Sequence, residues 1–148
     1  MGDVFQILTS KGVCYGLVTN THAKWRFVVS VFRDFYSQEP KDFGSVVMGT
    51  PQITTTFLIQ DAVRTGLFSL VAHLDVPDHL RDFPTFRSTN NLKGDDTLWF
   101  FWNGTEEWRV QRPLSEAEMR YPKGPSIPSA PVLIEMIQKD YRVERDYI

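Results

Sequence analysis

An α+β fold, built on a strongly coiled antiparallel sheet or partial barrel with short inserted helices and a C-terminal helix, is what this sequence predicts. Three observations lead there. Residues 4–32 and 98–110 hold β-branched and aromatic runs of strand length. Gly16 falls inside one of those runs, where glycine marks a bulge or a sharp bend. Residues 132–141 then space their apolar side chains at helical intervals.

Taken in order, residues 4–9 change character every residue or two and read as a strand, with Lys11-Gly12 as the turn after it. Residues 13–19 form the second strand and contain Gly16; residues 20–24 join it to the third, 25–32, the strongest strand pattern in the chain. Residues 37–40 offer a helical turn with Pro40 near its start. The threonine-rich stretch 52–59 returns to strand. Residues 60–66 read as a short helix ended by Gly66. Strand 67–74, a helical turn at 76–80 and an extended segment at 83–88 follow, the last because residues before proline avoid the α region. After a polar loop at 89–96, two aromatic runs flank Asn103-Gly104, a dipeptide favoured in tight hairpin turns. Four prolines in 122–131 make a semi-rigid linker. The sheet is thus expected to run from residue 2 to residue 111. The final helix should lay Leu133, Ile134, Met136 and Ile137 against it.

Composition limits the functional classes. With 148 residues, 42% hydrophobic and 23% charged, the chain is one globular domain rather than a disordered segment. A net charge of −2 lacks the basic surplus that a general phosphate-backbone binder uses. No apolar run approaches the ~18 residues of a membrane span. The opening residues lack a secretory pattern, and the single Cys14 is left without an internal partner, so a cytoplasmic protein with a reduced thiol is expected.

Chemical motifs are sparse. His22, His73 and His79 fall in no metal-ligand spacing, so no metal and no cofactor are expected; His73 and His79 with Asp75 or Asp78 form the only alternative set. Cys14 alternates into a core position between Val13 and Tyr15, which suits a structural thiol better than a nucleophile. No nucleophile elbow or phosphate-cradling loop occurs. Asp95-Asp96 and Glu106-Glu107 are adjacent carboxylates in or beside loops, a solvated setting unlike that of a general acid. Asn103-Gly104-Thr105 reads as a turn rather than a glycosylation acceptor. The cluster Trp99-Phe100-Phe101-Trp102 with Trp108 divides between core packing, a protein interface and a stacking platform.

The opening Gly2-Asp3-Val4-Phe5-Gln6-Ile7, then Tyr15-Gly16 and Val29-Ser30-Val31-Phe32, resembles the immunity protein 26 family of bacterial polymorphic toxin systems. Phe83-Pro84-Thr85-Phe86-Arg87 and Trp108-Arg109-Val110 agree in style. The resemblance implies a small cytoplasmic α+β protein that protects its producer by binding a cognate toxin, without catalytic residues. An inhibitor of a nucleic-acid-directed toxin would present carboxylates to a basic cleft. The candidates are Asp75, Asp78 and Asp82 around one loop and Asp95, Asp96, Glu106 and Glu107 around the last hairpin, with Trp99 and Trp102 as anchors at the same end. Neither a membrane nor nucleic acid is an expected partner. The competing readings are a small-ligand or nucleic-acid binding module on the aromatic hairpin, and an enzyme using Cys14 or His73.

Overall fold

Runs rich in Val, Phe and Thr, each bounded by glycine or a polar turn, assemble into two antiparallel sheets in the computed structural model, which describes residues 1–147 apart from the Asp95 side chain. Strands β1 (Asp3–Thr9), β2 (Gly12–His22), β3 (Arg26–Phe32), β4 (Pro51–Phe57) and β5 (Phe68–His73) form the larger sheet, in the order β4-β3-β2-β1-β5. Strands β6 (Phe86–Ser88), β7 (Trp99–Trp102) and β8 (Glu107–Val110) form the smaller one. The expected continuous sheet from 2 to 111 is therefore corrected to two, and the larger one is not closed into a barrel. Residues 74–85 separate them: Pro77 and Pro84 lack backbone donors, and a 3-10 turn at Asp78–Leu80 turns the chain away from β5.

The strand β2 is buried without a break from Cys14 to Asn20, because both faces of the larger sheet are covered. On one face Phe5, Ile7, Cys14, Val18, Val29 and Val31 pack beneath the helices α2 (Ile59–Arg64) and α4 (Ala130–Gln138). On the other, Val4, Tyr15, Leu17 and Phe32 meet Val46 and Val47 of the helix α1 (Phe43–Val47) and the loop residues Leu74, Val76 and Leu80. Gly16 is not the site of a bulge. It stands opposite Phe5, and a Cβ there would lie 2.2 Å from the Phe5 ring. The register shifts instead at Val4/Phe5, Val18/Asn20 and Val31/Phe32. Trp25 belongs to the β2–β3 turn, and Arg26 holds a positive φ of 67° as β3 begins.

The helical turn expected at 37–40 is absent. Tyr36 exchanges two backbone hydrogen bonds with Val13 (2.7 and 3.1 Å), which keeps the chain extended, and helix α1 begins only where the Asp42 side chain accepts from Gly44 N at 2.9 Å. Two short helices escaped the sequence reading: α3 (Glu116–Met119) and α5 (Val143–Asp146). Helix α3 is opened by a capping box between Ser115 and Glu118. The Arg112 guanidinium grips the Glu118 carboxylate at 2.7 and 3.0 Å and Ser115 N donates to it at 2.9 Å, which together hold its pKa down to about 2. A carboxylate lowered from 4.5 stabilises the fold fully above about pH 4.5, and that support is lost as pH falls toward 2. Arg112→Ala should move the Glu118 titration, followed by carboxyl-carbon NMR, up toward the ordinary range. An unchanged midpoint would contradict this account.

Residues 122–128, expected as a linker, pack as a strap between the two sheets. Arg87 N donates to Pro122 O (2.9 Å) and Gly124 N to Arg87 O (3.0 Å), while Ser126 O accepts from Thr55 Oγ1 (3.3 Å) and Thr56 Oγ1 (2.5 Å). Helix α4 then starts two residues earlier than expected, because Ser129 caps it and Pro131 suits its first turn. Leu133 and Ile137 are fully buried against the larger sheet and Ile134 and Met136 partly so, as the helical spacing predicts.

Candidate functional site

Alternation along β7 sends Trp99 and Phe101 to one face of the smaller sheet, Phe100 and Trp102 to the other. On the first face Arg87, opposite Phe101 in β6, is only 3% exposed. Its guanidinium donates to Tyr121 O (3.2 Å), Met119 O (2.8 Å) and Val143 O (3.2 Å). It also lies over the rings of Trp99 (4.8 Å) and Tyr147 (4.3 Å). Desolvation lowers its pKa from the usual arginine value, and backbone carbonyls with π faces do the work a carboxylate would do elsewhere. This is a structural centre: it joins the smaller sheet to α3, α5 and Tyr147.

On the second face Trp102 is half-buried among His22 (5.1 Å), Phe83 (5.3 Å), Phe86 (5.7 Å) and Trp25 (6.5 Å). His22 Nε2 donates to Gly104 O at 3.0 Å, while its Nδ1 accepts from Lys24 N and Trp25 N, which defines the tautomer. The Phe83 ring presses on Gly104, where a Cβ would sit 2.9 Å away and where φ is +98°. The Asn103 side chain accepts from Thr105 N and Glu106 N, so the β7–β8 connection is a four-residue turn.

These contacts draw the loop after β5 and the tip of the β7–β8 hairpin to one end of the larger sheet. Asn20 Nδ2, donating to Arg81 O at 2.9 Å, adds a further tie. Asp75, Asp78, Asp82, Glu106 and Glu107 are all exposed on these two segments. Asp78 pairs with Arg81 at 2.8 Å; the other four have no ion pair among the described residues. Asp96 does not join them. It precedes β7, where its carbonyl accepts from Gln111 Nε2, and Trp99 pairs with Val110 at that far end while Trp102 pairs with Glu107 near the tip. Asp95 lies outside the described residues as far as its side chain is concerned. Trp99, 7% exposed beneath Arg87 and Tyr147, presents no open ring, so the two tryptophans do not share an end or a face.

Cys14 is fully buried, and desolvation raises its thiol to about 12. His73 Nδ1 meets Asp3 Oδ1 at 2.8 Å on the surface, and no hydroxyl or thiol is bonded to that ring among the described residues. No three His, Cys, Asp or Glu side chains converge as metal ligands among the described residues. The sequence alone assigned no bracing role to Asn20, His22 or Arg87. A histidine after a long strand and an arginine between Phe86 and Ser88 were the available signals, and neither names its partner. A cavity of about 580 Å³ opens away from these residues, between β4 and the segments that follow β8. No protein-family model, no curated protein and no solved structure matches this chain.

Proposed function

We propose that this protein acts by binding a partner protein rather than by catalysis, as an immunity protein that neutralises a cognate toxin in the bacterial cytoplasm. The observation that carries the reading is the acidic end of the larger sheet. There Asp75, Asp78, Asp82, Glu106 and Glu107, from two distant segments, are held together by the His22–Gly104 and Asn20–Arg81 hydrogen bonds and by Phe83 on Gly104. Exposed carboxylates on a braced surface attract a cationic partner and steer its approach. Half-buried Trp102 and Trp25 beside them supply apolar area at the centre of such a contact. The buried Cys14 argues against a cysteine nucleophile, and no helix among the described residues is long and apolar enough to cross a membrane. The three register shifts, at positions where a bulge would increase local twist, support a strongly coiled larger sheet beneath this surface.

The test is a stopped-flow measurement of association with the toxin encoded beside this gene. Asp82→Lys combined with Glu107→Lys should slow association about tenfold or more at low salt and flatten its salt dependence, whereas Asp96→Lys at the far end should not. Absence of a complex, or equal loss from both variants, would overturn the reading.

A further inference from the structure

Strand β4 ends the larger sheet, and among the described residues its backbone bonds to β3 alone. Pro51 withdraws one donor, a register shift leaves Gln52 without a partner in β3, and Ser126 O takes the hydroxyls of Thr55 and Thr56 at one end, yet Pro51–Phe57 holds no charged residue that would repel an added strand. Its outward edge opens into the cavity of about 580 Å³, whose wall includes every residue from 50 to 55. Consecutive strand residues point to opposite faces, so a cavity lined by six in a row is reached through the edge itself. Six extended residues span roughly 20 Å.

The charged lining of the cavity is mostly cationic. Arg33, Arg120, Lys123 and Arg142 line the cavity, and Glu144 is the one acid among its lining residues. Arg142 pairs with Asp140 at 3.2 Å and Lys123 lies over the Tyr147 ring, whereas the guanidiniums of Arg33 and Arg120 have no ion pair or hydrogen bond among the described residues. Ile127 and Val132, 39% and 46% exposed, add apolar surface between them. In a chain of net charge −2, this concentration of positive charge on an open strand edge is set against the overall balance.

We propose that this cleft receives an extended acidic peptide, which adds to β4 as a sixth strand. Backbone groups of residues 50–55 would bond the peptide main chain, and Arg33 and Arg120 would take its carboxylates. The site lies on a different surface from the acidic end and stands independently of the immunity reading.

The experiment uses the full chain to select from a displayed library of random twelve-residue peptides. The winners should be rich in Asp and Glu, should shift the backbone amide resonances of residues 50–55, and should lose at least tenfold in affinity for Arg33→Glu/Arg120→Glu. N-methylation at alternate positions of a winning peptide should cost a similar factor. Four results would overturn the proposal: winners without acids, shifts confined elsewhere, indifference to N-methylation, or citrate competing as well as the peptide, which would mark a small-anion site. Self-association of the free protein through residues 50–55 in the ultracentrifuge would assign the edge to a second copy and overturn it equally. A folded-state spectrum of the double variant guards against loss of binding through unfolding.

Discussion

Gly16→Ala is expected to lower stability by about 3 kcal/mol, a fall in Tm of about 6–12 °C for a chain of this size. The new methyl would lie 2.2, 2.6 and 2.9 Å from three carbons of the Phe5 ring. That ring cannot step aside. It is fully buried and stacked on Phe68 at 5.7 Å, and Phe68 is in turn stacked on Phe57 at 5.4 Å. Moving Phe5 would therefore disturb three strands. Urea denaturation measures the loss, and the same variant in a Phe5→Leu background tests its cause. The double variant should lose less than the two single losses combined, by about 1 kcal/mol or more. Simple additivity, or a Gly16→Ala protein as stable as the parent, would refute the steric account.

Arg87→Leu should cost about 3–5 kcal/mol, because it leaves the carbonyls of Met119, Tyr121 and Val143 without their donors and removes the cation between Trp99 and Tyr147. Lysine should not rescue it. A compact ammonium lacks the planar fork that reaches three carbonyls and stacks on two rings. Amide hydrogen exchange gives a more specific readout than overall stability: protection should fall first at residues 119–121 and 143–146, while β1 to β3 stay protected. Uniform loss of protection across both sheets would show that Arg87 does not act locally in this way.

What could be read from the residues was mostly what local physics decides. Asn103-Gly104 between two aromatic runs marked the last hairpin, Gly66 ended a helix, and the spacing of Leu133 and Ile137 located the buried face of α4. The errors arose where a distant partner decides. Residues 37–40 carry helix-compatible residues, yet Tyr36 is paired with Val13 and the helix waits for Asp42. Ser115 and Glu118 were a legible capping box, obscured because α3 is too short to show a period. Gly16 was noticed for a bend, although its role is to leave room for Phe5 across the ladder. The candidate surface was half legible: acids on loops are exposed wherever the loops go, but the meeting of His22 with Gly104, 82 residues apart, belongs to topology. The cations of the cleft, Arg33, Arg120 and Arg142, are scattered along the chain and form no run that a sequence scan would find.

Helix α4 bears on how the molecule is made. All five strands of the larger sheet lie before residue 74, yet one of its faces is completed by Leu133 and Ile137. During synthesis that face has only α2 to cover it until residue 137 has emerged, several seconds after β5 at about 5–20 residues per second. A nascent chain stalled in that interval would present Phe5, Ile7, Val29 and Val31 to whatever surrounds the ribosome. The burden on holding chaperones should therefore depend on the speed at which the last third of the message is translated.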